Sequence, residues 1–314
     1  MTEIEITSGR FNEYIDPNLH IWGLDVAIYL FLGGLAAGLM VIPSLRLLMN
    51  NEKQNHTTTA LPLLLVSVLM SVGMFCLFLD LHYKFHVFRF YTAFQPRSPM
   101  SWGAWILIFV YPISFLLGIS RLKNDYPTLG KYTLKFDSWL AMLKKFEQPL
   151  AYMNIVFGVA LGIYTGILLS AYVARPLWNS GLLGVLFLTS GLSTGAALLI
   201  LLTPDHEEGK LLSKLDVVLL AAEIGLIVIL FVNMFTSSIH HKAAARLFFG
   251  GPYTASFWTL VVGVGLVAPF LLETFELKGK RVPLVLPALL VLGGGFMLRV
   301  ILLSAGQAST FLPY

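Results

Sequence analysis

Apolar residues in this chain come in long runs, and polar residues collect between the runs. A continuous apolar run, unlike an alternating strand pattern or the stripe of a surface helix, buries every side of its helix. About 20 such residues cross the hydrocarbon core of a bilayer. Eight runs reach that length, and they predict helices over Trp22–Met49, Ala60–Tyr83, Met100–Ile119, Leu150–Ala174, Gly181–Leu202, Leu215–Ser238, Thr254–Phe275 and Pro283–Ala305. The expected fold class is therefore an all-α integral membrane protein of eight transmembrane helices, one polytopic domain over residues 1–314. An even number of spans puts both termini on one side.

Composition agrees with the pattern. The chain is 57% hydrophobic and 12% charged, with mean hydropathy +0.78; a soluble domain carries about 25% charged residues. The net charge of +4 comes from basic residues in the connections, which form no nucleic-acid stripe. Thirteen Lys and Arg fall in the connections after the first, third, fifth and seventh spans, and seven on the other side. Positive charge is retained in the cytoplasm, so both termini are expected outside, in the periplasm if the cell is Gram-negative, with the chain in the bacterial inner membrane. No cleaved signal peptide is visible in the polar, acidic start.

Two small-residue motifs, GGLAAG at 33–38 and SGLSTG at 190–195, share a GLxxG core on spans that run in the same direction. They fit either a duplication into two four-helix halves or two independent packing seams. The stretch from Tyr164 to Ala197 is the most distinctive in the chain. It is an apolar run, a polar break with Arg175, Pro176, Trp178 and Asn179, and a second run. Trp178 suits the headgroup level, and Arg175 a helix cap on the carbonyls ending the fourth span.

With YTG at 164–166, ARPLWNS at 174–180, SGLSTGAAL at 190–198, GGGFMLRVILLSAGQAS at 293–309 and the GGLAAG run, the chain resembles the NrfD/PsrC family, the quinone-interacting membrane subunits related to that of polysulfide reductase. The resemblance implies a subunit of a respiratory molybdoenzyme complex. It would exchange electrons between menaquinol, or another quinol, and a four-cluster iron–sulfur subunit on the periplasmic side. That subunit would serve a molybdopterin catalytic subunit acting on polysulfide, thiosulfate or a similar acceptor. The complex is expected to be membrane-embedded, and a dimer of it is compatible with the resemblance.

The seven histidines all fall in connections or at helix ends, and Cys76 is the single cysteine. That leaves no matched haem ligands, no iron–sulfur ligand set and no metal site in the chain. A quinone site needs an apolar slot, donors for two carbonyl oxygens and a proton route. Asn18, His20, Asp80, Tyr164 and Thr165 lie where they could converge in the outer half of the membrane; the resemblance singles out the Asn-x-His pair and Tyr164. The bland readings are an interfacial histidine, a span-end aspartate and a tyrosine bonded across helices. The connection at 80–103, rich in aromatics with His82, His86, Arg89 and Arg97, is expected to be a platform for a partner or a lid.

Asp216, Glu223 and Arg299 lie inside later spans, where charge is costly and marks function or a structural pair. Asp216 and Glu223 share one helix face, a candidate proton path from the inner surface. Counted from the predicted helix starts, Glu223 is about 12 Å deep and Arg299 about 24 Å, which places Arg299 in the outer half near Asp80 or the quinone. The competing function class is an ion or proton transporter or channel without redox activity.

Overall fold

The structure is a computed structural model and describes residues 22–49, 59–81, 83–125, 137–203, 205–280 and 282–310. Eight helices are long and apolar enough to cross a membrane. They are α1 (Leu24–Met49), α2 (Ala60–Asp80), α3 (Pro99–Asp125), α4 (Glu147–Ser170), α5 (Leu182–Leu202), α6 (His206–Thr236), α7 (Thr254–Leu277) and α8 (Val285–Ala308). No strand occurs among the described residues. All eight predicted spans are present, most within a few residues of their expected ends.

The largest departure is the start of α6, which begins nine residues before the predicted Leu215. Its signal is a cap and not an apolar run. Asp205 accepts a hydrogen bond from the Glu207 backbone at 3.2 Å, and Glu207 and Glu208 in the first turn complement the positive end of the helix dipole. A shorter amphipathic helix, Asp137–Lys145, lies in the long basic connection. Another, Ile239–Arg246, follows α6. Midway along α7 the backbone widens to π register over Phe257–Val267 and returns to α register just ahead of Pro269. A proline has no N–H to donate, and a π turn is one way a helix absorbs that loss.

The helices close into two rings of four. In the first, α1 packs on α2, α2 on α3, α3 on α4 and α4 on α1; in the second, α5, α6, α7 and α8 repeat the same cycle. The rings join through α1, which also touches α5 and α8, and through α4 against α5. Lipid supplies no hydrophobic drive between helices, so close packing must hold the join. Here the two GLxxG motifs meet. A Cβ on Gly195 would lie 2.6 Å from the Gly38 Cα, and one on Gly191 would lie 2.6 Å from the Gly34 carbonyl oxygen. The motifs are thus not two independent seams: they build one seam, shared by the two four-helix halves. A second glycine contact, Gly265 on Gly294, brings α7 against α8.

At one end of the bundle lie the start of α1, the 81–98 connection, the 171–181 turn and the end of α8; the 206 end lies opposite. Trp178 does not face headgroups as expected. It is buried, donates from its indole nitrogen to the Leu302 carbonyl at 2.9 Å, covers Gly306 and stacks on Trp22. Arg175 donates to the carbonyls of Gln307 and Ser309 at 2.8 Å each, so it ties down the end of α8 instead of capping α4. The Gln307 side chain in turn exchanges two hydrogen bonds with the Trp22 backbone, at 3.0 and 2.9 Å.

Candidate functional site

Two polar regions interrupt the apolar interior. The first lies in the second ring and runs along one face of α6. Its buried positions Ser213, Asp216, Leu220, Glu223 and Ile227 recur every three or four residues. Asp216 is fully buried and accepts a hydrogen bond from the Ser193 hydroxyl of α5 at 2.5 Å on one carboxylate oxygen. Its other oxygen faces Glu273 of α7, which is also fully buried, and has no other hydrogen-bond partner among the described residues. Seven residues on, about 10 Å along the axis, Glu223 comes within electrostatic reach of Arg299.

Arg299 sits where α1, α5 and α8 meet. Its guanidinium donates to the Ser190 hydroxyl at 2.6 Å, to the Gly295 carbonyl at 2.9 Å and to the Phe187 carbonyl at 3.2 Å. It also lies over the Phe187 ring, 5.2 Å from its centroid, and leaves no room for a Cβ on Gly34. Ser190 faces both Arg299 and Glu223, so one hydroxyl can accept from the cation and donate to the carboxylate.

The expected place of Arg299 near Asp80 is not met: it belongs with Glu223. The cause is the early start of α6. From His206, Glu223 is 17 residues along and about 26 Å in; from Val285, Arg299 is 14 residues along and about 21 Å in. The two side chains are at similar depth.

The second region lies in the first ring near the opposite end. Tyr164 is buried, with its ring against the backbone of Gly103 and its phenol within electrostatic reach of the fully enclosed Tyr29. Tyr91 and Tyr111 also face Tyr29. Tyr91 lies outside the spans, and its half-burial raises its phenol above the ordinary range. Beside this cluster the 81–98 connection walls a cleft of about 530 Å³ with the start of α3. Leu81, Phe90 and Met100 supply apolar lining, and Tyr83, His86, Arg89 and Ser101 supply polar groups.

Of the predicted residues, Tyr164 is in this cluster, and Thr165 is buried beside it with its hydroxyl bonded to the Gly162 carbonyl at 2.8 Å. Asp80 ends α2, half-buried. Asn18, His20 and His82 lie outside the described residues.

Sequence reasoning missed Tyr29, Glu273 and Asn154. Each had a signal: a polar residue within a run long enough to span. Glu273 was passed over because it lies near the end of the seventh span. Asn154 is fully buried. It accepts from the Ser114 hydroxyl at 2.8 Å and donates to the Met40 carbonyl at 3.1 Å and the Ser44 hydroxyl at 2.9 Å, which ties α1, α3 and α4 together.

Comparison with known proteins places this geometry. The family described as polysulphide reductase, NrfD matches residues 13–310. The chain belongs to the NrfD family. It is 31% identical over 314 residues to one of the chains of the polysulfide reductase of Wolinella succinogenes, an alignment covering 95% of this protein and 97% of that one. It is 30% identical over 305 residues to protein NrfD of Escherichia coli K12, covering 91% and 95%. With one of the subunits of the selenate reductase of Mesobacillus selenatarsenatis it shares 28% over 314 residues, covering 90% and 72%. Some NrfD relatives are thus named subunits of multi-subunit reductases whose acceptors differ. This NrfD protein is a multi-pass membrane protein related to such subunits.

Proposed function

We propose that this chain is the quinone-binding membrane subunit of a respiratory reductase complex, exchanging electrons between menaquinol or a similar quinol and a periplasmic iron–sulfur subunit, with protons conducted along the α6 face. The observation that carries the reading is the line of buried carboxylates ending at Arg299, in a chain of the NrfD family. A membrane helix keeps such charges only where they are used or fully paired, and among the described residues one oxygen of Asp216 meets only another carboxylate, Glu273.

The residues beside the cleft fit a quinone. The lining is largely apolar with a few donors, as small-molecule sites are, and the Tyr164 phenol is held from behind by Tyr29. Tyr164 and His20 would hold the head-group oxygens, with Asn18 and Asp80 close by. Thr165 would shape the wall with its methyl group, which lies against Gly33. A bound quinol supplies two electrons and two protons. The chain's part is to fix the ring by hydrogen bonds, exclude water and accept protons at the imidazole. Electrons would leave toward the iron–sulfur subunit and the molybdopterin subunit that reduces polysulfide, thiosulfate or a related acceptor.

Both termini would face the periplasm in the inner membrane. A reporter at either terminus should then read outside and one at Asn124 inside; an N-terminal reporter in the cytoplasm would invert the scheme. The function itself is tested on the purified complex. Extractable quinone, together with quinol-dependent acceptor reduction that Tyr164→Phe slows, supports the reading. A protein that binds no quinone but conducts protons across vesicles would be a transporter.

A further inference from the structure

The α6 carboxylate line needs an opening to water, and the 206 end of the bundle has one. A cleft of about 300 Å³ there is lined by His206 and Lys210 of α6, by Glu276 of α7 and by Gly279, Lys280, Val282 and Pro283. Glu276 points from α7 toward His206 and Lys210 and is almost wholly buried. Three residues back on the same helix, and so on the same face, is Glu273. It is fully buried between Glu276 and Asp216, with the Ser213 hydroxyl alongside.

We propose that Glu273 is the entry relay of the proton path, passing protons from the Glu276–His206 cleft to Asp216 and so to Glu223. The proposal rests on the proton-conducting part of the function given above and names a residue and a mouth for it.

Three observations support it. Among the described residues, neither oxygen of Glu276 has a hydrogen-bond partner. Glu273 faces the Ser213 hydroxyl and the otherwise unpartnered oxygen of Asp216, and the two carboxylates can bond to each other only by sharing a proton. Buried oxygens left without donors by the chain are where a proton or a bridging water is bound. Carboxylates elsewhere at this end are built differently. Asp125 caps the first turn of α2, accepting from the Ala60 and Thr59 backbones at 2.7 and 3.2 Å. Glu147 pairs with Arg121 at 2.9 Å, and Glu208 pairs with Arg46. Those acids hold the fold; among the described residues Glu273 has no such cation or backbone partner.

The third observation is continuity. Glu276, Glu273, Asp216 and Glu223 step inward from the cleft, each within electrostatic reach of the next. A proton taken up by Glu276 or His206 moves to Glu273, then to the free oxygen of Asp216, then to Glu223. Each donor is reprotonated from the cleft side, and no electron moves in these steps.

The test uses the whole complex in vesicles, sorted by orientation, with a pH dye on the side of the 206 end. Quinol turnover and proton uptake on that side are recorded together. Glu273→Gln should assemble with its partners and cut uptake per quinol at least tenfold. Glu273→Asp should restore part of it, and Glu276→Gln at the mouth should lower uptake several-fold. If Glu223→Gln abolishes uptake while Glu273→Gln retains it, the entry role is overturned and the relay through Glu223 stands. If wild type takes up no protons on that side, the conducting path itself fails and this inference with it. If Glu273→Gln does not assemble, Glu276→Gln decides: wild-type uptake in that variant overturns the mouth and its relay.

Discussion

The two rings share a helix cycle but differ in what they bury. In the first ring the deep polar groups are neutral. Asn154 spends its amide on two hydroxyls and a carbonyl, and the tyrosines face one another. In the second ring they include ionisable groups that are only partly paired: Asp216, Glu223 and Glu273, with Arg299 at the join. Neutral groups that satisfy one another fasten helices. Ionisable groups with spare oxygens are a poor fastening, since each ion taken from water costs several kcal/mol unless fully paired. Under the proposed function their place in the second ring is the proton path, and the join, where Arg299 meets the glycine seam, links it to the half that holds the tyrosines.

The sharpest way to break the comparison is at the join. Arg299→Leu leaves Glu223 buried without its cation and removes the bonds to the Ser190 hydroxyl and the Phe187 carbonyl. It should cost about 3–5 kcal/mol, read as loss of assembled protein and a lowered unfolding midpoint in detergent. The double variant Arg299→Leu with Glu223→Leu should recover much of the stability and none of the turnover. Recovery of both would make the pair purely structural.

The seam comes next. On Gly195 a new Cβ meets the Gly38 backbone, which cannot swing aside as a side chain would. Gly195→Ala should destabilise by about 1–3 kcal/mol and loosen contact between the rings. Thermal unfolding together with crosslinking of α1 to α5 would check this.

In the first ring, Tyr164→Phe tests chemistry without disturbing packing. Loss of one preorganised donor should slow quinol oxidation about a hundredfold with normal assembly, measured as quinol-dependent reduction by the purified complex. The smallest effect belongs to the neutral network. Replacing Asn154, Ser114 and Ser44 together by Leu, Ala and Ala should change stability by only about 0.6 kcal/mol per hydrogen bond and leave turnover as it was. A large loss of turnover in that triple variant would remove the distinction between the two rings.

Much of this was legible in the chain. Eight spans follow from apolar run length, because lipid forces every backbone group to bond within its helix. Asp216, Glu223 and Arg299 stand out against apolar surroundings in the same way. Depth was harder to read. Hydropathy does not see the segment 206–214, polar along much of its length, as helix, though Asp205 followed by two glutamates is a cap signal. That omission placed Glu223 too near the inner surface and separated it from Arg299. Facing was not legible at all: a tryptophan beside a turn reads as a lipid anchor, while Trp178 fills the space over Gly306. The meeting of GGLAAG with SGLSTG depends on helices four apart in sequence becoming neighbours, which no local pattern encodes.

The central claim is that the charged line of the second ring carries protons during turnover, and Glu223→Gln tests it most directly. The substitution keeps shape and hydrogen-bonding capacity but cannot cycle a proton. The complex bearing it, reconstituted in vesicles and driven by quinol, should fold and assemble normally and lose turnover or its coupling to membrane potential. Wild-type turnover with wild-type coupling would contradict the account and leave Glu223 as a residue of the fold alone.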